Sequence, residues 1–477
     1  MTEKLTYEEL NFPTFVNTHT ALALNVHTLQ GESKIIELPL SDAIKASVLA
    51  GCSFLNIGDT RCGKSQVMMD IHRNYFGGDA DLGGKSNWHV ARNDFSAEGY
   101  FMTLDQSKIG EGKGMLSKAR VPIADRITAM VNGIDEINLA LPEVQVEFFG
   151  IAEGRHKGIE LGRNGYHLFM SSCNMNRING DFSGTSQINR ALLNRFGATF
   201  DFDYYRRTDA DDDTLAQREV SGRLNLAPAR DISDKILAAY TDIRQAAAHR
   251  EPSLDAYIRF FSSGLDYCNK DALDKRKKKI WPTLCTNCDF RDQNNEKGLC
   301  SLVKQSNTGT TGMLKRFALG INYLVQLKHG EVIVDLFELA LESFKFTTYH
   351  GNLNGMEVLS TYSGEDQEQM RDVVQRTRAT ISPLKPYIDR AIEKATEGIE
   401  ETRFIRLQVG GETHEKIYSE ADKSGLDALS PKPTYEVFDP FTDKVDGKTF
   451  AERTGIRVDW FPGYLKKLAQ HYRESKK

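Results

Sequence analysis

Phe54-Leu-Asn-Ile57 runs directly into Gly58-Asp-Thr-Arg-Cys-Gly63-Lys64-Ser65. The first four residues have the apolar character of a buried strand. The next eight match the loop pattern G-x-x-x-x-G-K-[ST], and Ser65 to Tyr75 continues as a helix. Strand, loop and helix in this order form a phosphate cradle. Gly58 and Gly63 let backbone N–H groups curl around phosphate, Lys64 reaches the terminal phosphates, and Ser65 offers a hydroxyl to Mg2+. Asp59, Thr60, Arg61 and Cys62 complete the loop.

Working outward, short apolar runs recur at 53–57, 100–104, 127–134, 166–172 and 198–202, separated by helical or loop stretches. That rhythm predicts an α/β fold with a parallel five-stranded sheet. Residues 1–45 read as a mixed N-terminal leader and 46–210 as the P-loop core. Residues 211–351 read as a helical lid carrying a cysteine-rich insert (268–300), and 352–477 as a mixed C-terminal extension. Within the lid, Leu314, Phe317, Ile321, Leu324 and Val325 form one apolar helix stripe that ends at Gly330. Further boundary signals are the aspartates at 209, 211, 212 and 213 and the glycine at 351.

The chain has 477 residues, 40% hydrophobic and 27% charged, with a net charge of -5. This is a globular composition with enough length for more than one core. The acidic balance argues against a surface built wholly for nucleic acid. The sequence shows no signal peptide and no apolar run near the ~18 residues of a membrane span. Seven cysteines, one inside the phosphate loop, suit a reducing compartment, so a cytoplasmic location without membrane contact is expected.

Three further motifs sit downstream of the loop. Ala129-Met-Val-Asn-Gly-Ile-Asp135-Glu136 is an apolar strand ending in two acids, suited to a magnesium shell and to polarising an attacking water. The run 166–172 delivers Cys173-Asn174-Met-Asn176, a source of amide contacts to a γ-phosphate or simply a turn. Ile188-Asn-Arg190-Ala-Leu-Leu-Asn-Arg195-Phe brings two guanidinium groups ahead of the last strand. These suit developing phosphate charge, or alternatively a solvated helix face.

In this order the motifs resemble those of the AAA+ ATPases, and of their MoxR-like branch, which includes the cobaltochelatase and gas-vesicle type ATPases. The carrying stretches are Asp135-Glu-Ile-Asn-Leu-Ala-Leu-Pro-Glu-Val-Gln and Gly184-Thr-Ser-Gln-Ile-Asn-Arg-Ala-Leu-Leu-Asn-Arg195-Phe. The resemblance spans about residues 50 to 202 and the helices at 312–350. It implies ATP and Mg2+ as cofactors, Lys64 and Ser65 as Walker A contacts, and Asp135 and Glu136 as the Walker B pair. It also implies Asn174 as first sensor and Arg195 as an arginine finger acting on a neighbouring subunit. A finger in trans implies a homo-oligomeric ring, generally a hexamer. Such rings remodel or activate a protein client or assist cofactor or metal insertion, often with a partner bearing a von Willebrand factor A domain. Two departures stand out. Asn194 replaces the family's usual Asp, and the second sensor falls on Thr310-Thr-Gly-Met-Leu-Lys315-Arg316, where Lys315 or Arg316 could serve.

Cys268, Cys285, Cys288 and Cys300 cluster in the insert, enough thiolates for Zn2+ or a [4Fe-4S] cluster; unliganded packed thiols are the third reading. The run Lys275-Arg-Lys-Lys-Lys279 lies between the first two. It makes a nucleic-acid-dependent motor or clamp-loader-like ATPase the alternative function. Nucleic acid is not favoured, because no aromatic residue interleaves the run.

Overall fold

The computed structural model describes residues 4–78, 86–91, 101–104, 120–174, 188–218, 229–249, 251–261, 302–303, 308–347, 353, 361–400, 402–409, 412–413, 418–419, 425, 434–441, 443–444 and 460–475. They divide into two compact units, each assembled from two stretches of chain. One comprises Met1–His249 and Gly312–Gly351, the other Arg250–Thr311 and Asn352–Lys477.

In the first unit the elements run β1 (Thr20–Thr28), β2 (Ser33–Pro39), α1 (Leu40–Leu49), β3 (Phe54–Gly58), α2 (Lys64–Asn74) and β4 (Ser86–Val90). β5 (Met102–Leu104), β6 (Arg120–Pro122), β7 (Val131–Asp135), β8 (Arg155–His156), β9 (Ile159–Glu160), β10 (Leu168–Asn174) and β11 (Ala198–Asp201) follow. The unit closes with α3 (Asp209–Arg218), α4 (Ser233–Ala248), α5 (Thr308–His329), β12 (Val332–Val334) and α6 (Leu336–Thr347).

The core is a five-stranded sheet in the order β11-β3-β10-β7-β4, and every pairing in it is parallel. β3, β7 and β11 are buried at every position, the burial expected of a parallel sheet covered on both faces. The register aligns Gly58 with Asn174, and Val90 with Asp135. The C-terminal strand ends therefore finish at one level, the edge where open α/β sheets hold ligands.

Four of the five apolar runs supply core strands; the run 100–104 does not. Met102–Leu104 pairs antiparallel with β6, and the sheet's fifth strand, at the edge beside β7, is Ser86–Val90. Ser-Asn-Trp-His-Val lacks apolar continuity, and its buried Asn87 is satisfied inside the sheet. Asn87 Nδ2 donates to Asn132 Oδ1 at 3.1 Å, and Asn132 Nδ2 lies 2.9 Å from His167 Nε2. Burial pushes the His167 imidazole down to about 4, so it stays neutral and accepts the amide proton. Gly133 makes room for the neighbouring strand: a Cβ there would come within 2.9 Å of the Trp88 ring.

Residues 20–39 form an antiparallel hairpin, β1 with β2, which β12 extends on the β1 side. α5 crosses α1 at Gly320, where a Cβ would stand 2.6 Å from the Ala46 carbonyl oxygen. The Phe200 ring joins the sheet to both later helices, 6.4 Å from Phe317 and 5.5 Å from Phe346.

In the second unit, helices Asp366–Ile381 and Lys385–Thr396 accompany a small antiparallel sheet in which Phe404–Val409 pairs with Thr434–Phe438. Its core is aromatic, with Tyr387 packed edge-on against Phe404 and Phe438. Among the described residues no helix is long and apolar enough to cross a membrane.

Candidate active site

The chain leaves β3 at Gly58 with φ 145°, passes Arg61 at φ 65° and reaches Gly63 at φ 103° before α2 begins at Lys64. At Gly63 a Cβ would stand 3.1 Å from the Phe15 ring, and at Gly58 it would stand 3.1 Å from both Cys62 Sγ and the Asp203 carboxylate. Only glycine combines these dihedrals with that crowding. The loop is tied down from outside, since Asp59 N–H donates to Asp203 Oδ1 at 2.8 Å. Asp203 is itself set by a turn in which Asp201 Oδ1 accepts its N–H at 3.0 Å.

Lys64 is buried and donates its ammonium to the carbonyls of Gly58 and Asp59, at 2.8 and 2.5 Å. Cys62 Sγ lies 3.5 Å from the same Nζ. Burial raises the Cys62 pKa against the opposing pull of Lys64, so the sulfur is held as a thiol.

Beside the loop, Ser65 Oγ donates to Asp135 Oδ1 at 3.0 Å. Ser172 Oγ donates to the same carboxylate oxygen and accepts the Glu136 N–H at 3.0 Å. Glu136 stands in the left-handed region at φ 52°, a strained conformation for a residue with a Cβ. Ser172 thus couples both acids to β10. Two residues on, the Asn174 carbonyl accepts a hydrogen bond from Asn138 Nδ2 at 2.9 Å. The donor set, one hydroxyl and one carboxylate from adjacent elements, is the hard-oxygen pair that suits Mg2+.

A cavity of about 330 Å³ opens over these groups. Lys64, Ser65, Glu136, Ser172 and Asn174 line it together with Thr60, Arg61, Gly63 and Gln66. Its remaining wall comes from Thr14, Phe15 and Val16 on the N-terminal side and from Arg207 and Leu215 beyond the last core strand. Asp70, on α2, accepts the N–H groups of Thr14 and Phe15 at 3.0 and 2.7 Å and the Thr14 hydroxyl at 2.5 Å.

The remaining sequence-derived candidates lie elsewhere. Arg195 is not among the residues lining this cavity. Its Nε donates to Glu153 Oε1 at 2.6 Å, an Nη donates to the Ala191 carbonyl at 2.7 Å, and the guanidinium lies 4.4 Å from the Phe149 ring centre. Lys315 Nζ lies 3.4 Å from the His249 carbonyl oxygen. Arg316 is close enough to Cys52 to pull against the burial that raises that thiol's pKa. Cys52 precedes β3, and its Sγ lies 3.8 Å from the Met313 carbonyl, so the part of α5 next to Lys315 and Arg316 meets the end of the strand opposite Gly58. Cys268, Cys285, Cys288 and Cys300 lie outside the described residues, and among the described residues no cluster of acids, histidines and cysteines could hold a metal ion. Sequence reading passed over Ser172, Asp203, Arg207 and the Thr14–Val16 wall. Ser172 carried the one available signal, one of two adjacent serines that interrupt an apolar strand just before Asn174.

No family model and no curated protein sequence matches this chain. Among solved structures, the chain is similar to a protein of Cytophaga hutchinsonii provisionally named an ATPase. The identity is 12% and the TM-score 0.47, over 70% of this chain and 87% of that one. It is also similar to a full-length MCM homolog from Methanopyrus kandleri, at 8% identity and TM-score 0.32, over 64% of this chain and 54% of that one.

Proposed function

We propose that this protein hydrolyses ATP in the manner of an AAA+ ATPase of the MoxR-like branch. The observation that carries this reading is the bond from Ser65 Oγ to Asp135 Oδ1 at 3.0 Å, at the floor of a cavity that Ser65, Lys64, Glu136 and Asn174 line. Strand order supports it, since β10, bearing Asn174, lies between the strands bearing the loop and the two acids.

Lys64 exchanges its loop carbonyls for phosphate oxygens when nucleotide enters. Ser65 and Asp135 would hold Mg2+, which would offset phosphate charge. Glu136 orients and polarises the attacking water, with its backbone pinned by Ser172. Asn174 donates its amide toward the γ-phosphate. Arg195 does not line the cavity of its own chain. This favours a finger acting on the next copy in a homo-oligomeric ring, most simply a hexamer, that remodels a protein client or assists cofactor insertion. A von Willebrand factor A domain partner fits that role. Zn2+ or a [4Fe-4S] cluster held by Cys268, Cys285, Cys288 and Cys300 would stabilise the insert. Elemental analysis with an absorption spectrum of anaerobically purified protein distinguishes the two.

Phosphate release from ATP with Mg2+ tests the reading. Wild type should turn over, Lys64→Ala should lose nucleotide binding, and Glu136→Gln should bind ATP while turnover drops by about 100-fold or more. Unchanged turnover in Glu136→Gln would remove the assignment of the base.

A further inference from the structure

Three cationic residues line the cavity: Arg61 and Lys64 from the phosphate loop, and Arg207 from the segment that follows β11. Arg61 and Lys64 belong to the loop motif; Arg207 belongs to no motif. Yet its backbone is fixed on both sides. Asn17 Nδ2 donates to the Tyr205 carbonyl at 2.7 Å, and Thr208 N–H donates at 2.8 Å to Asp211, whose side chain is buried. The side chain is held loosely by comparison. Its Nε lies 3.5 Å from Asp212 Oδ1, with the two side chains 34% and 62% exposed. An ion pair that long and that wet contributes little. The chain therefore presents a guanidinium from a rigid base to the cavity and leaves its planar donor face available.

A guanidinium suits phosphate because its N–H groups form a fixed fork that grips two oxygens together. Arg61 and Lys64 both come from the loop, so Arg207 is the cation that lines the cavity from the other side. Lys64 acts from the loop alone, while Lys315 and Arg316 stand by His249 and Cys52. We propose that Arg207 is a nucleotide-binding residue that donates to the phosphate chain of a nucleoside triphosphate bound in its own subunit, leaving Asp212 when the ligand enters. This rests on the ATPase reading and adds to it the residue that completes the cationic wall.

Equilibrium binding of a fluorescent ATP analogue to the full-length protein, with ATP and ADP as competitors, tests the assignment. Arg207→Ala should weaken ATP binding at least tenfold, Arg207→Lys should restore part of the loss, and Arg207→Gln should not. Asp212→Asn should bind ATP as tightly as wild type or more tightly, because it frees the guanidinium. Three results would overturn the proposal: ATP affinity in Arg207→Ala within twofold of wild type, equal affinities for the Lys and Gln variants, or a matching loss in Asp212→Asn. The last would mean that the ion pair merely props the segment. If wild type binds no nucleotide, the ATPase reading fails and this assignment fails with it; if wild type and Arg207→Ala bind alike, only this assignment fails.

Discussion

Asp42 and Asp135 are both buried in the same unit, yet they keep different company. Asp42 has no exposed surface and is met by Lys45 Nζ at 2.9 Å, Lys328 Nζ at 2.7 Å and the Tyr7 hydroxyl at 2.8 Å. Asp135 is met by two serine hydroxyls, from Ser65 and Ser172. Burial raises the pKa of Asp42, but the two ammonium groups outweigh it and leave the carboxyl below its ordinary value. Its charge is neutralised within the protein, and the cluster ties Tyr7, α1 and the end of α5 together. Among the described residues, no ammonium or guanidinium group is hydrogen-bonded to Asp135. Two neutral donors orient the carboxylate and leave its negative charge to be answered by something that arrives. The partners of a buried acid thus distinguish a structural tie from a working group better than burial does.

The comparison can be broken most forcefully at Asp42. Asp42→Ala leaves the ammonium of Lys45, itself 4% exposed, buried without its carboxylate. It should cost about 3–5 kcal/mol of stability in urea titration. Adding Lys45→Met should recover much of that, and ATP affinity should be unchanged in both. A weaker ATP affinity in a variant that still folds would show that the tie also serves the site.

At the other acid the effect should fall on turnover. Ser172→Ala removes the hydroxyl that joins Asp135 to the Glu136 N–H. Turnover should fall about tenfold with KM within twofold of wild type, and stability by about 1 kcal/mol. A raised KM with normal turnover would place Ser172 in ground-state binding instead.

The smallest effect is the acid response. The folded pKa of Asp42 lies below that of the unfolded chain, about 3.9, so the unfolded state takes up the proton first as pH falls. The stability of the tie is therefore complete above that pH and lost below it. In chemical denaturation from pH 5 downward, the Asp42→Leu, Lys45→Met double variant should lose stability less steeply than wild type below about pH 4.

Much of the site was legible because it is local. Gly58 to Ser65 is contiguous, and Asp135 and Asn174 end apolar runs. What escaped was distributed. Ser86–Val90 reads as polar because its Asn87 finds Asn132, far along the chain. The Asn17 contact with the Tyr205 carbonyl and the Asp203 hold on the loop likewise join residues far apart in sequence, and no spacing rule announces them. Arg195 and Arg316 are guanidinium groups of the kind sought for a finger and a second sensor, but Arg195 lies against Glu153, and α5 next to Arg316 meets Cys52. Their meaning depends on neighbours that a linear motif does not record.

Asp70 fastens Thr14 and Phe15 to the first helix after the loop, and Phe15 presses on Gly63. The N-terminal arm is therefore part of the furniture of the phosphate-loop cavity. Trimming the chain to begin at the first hairpin, a natural economy for anyone preparing a minimal fragment, would remove a wall of the cavity and free the loop on that side.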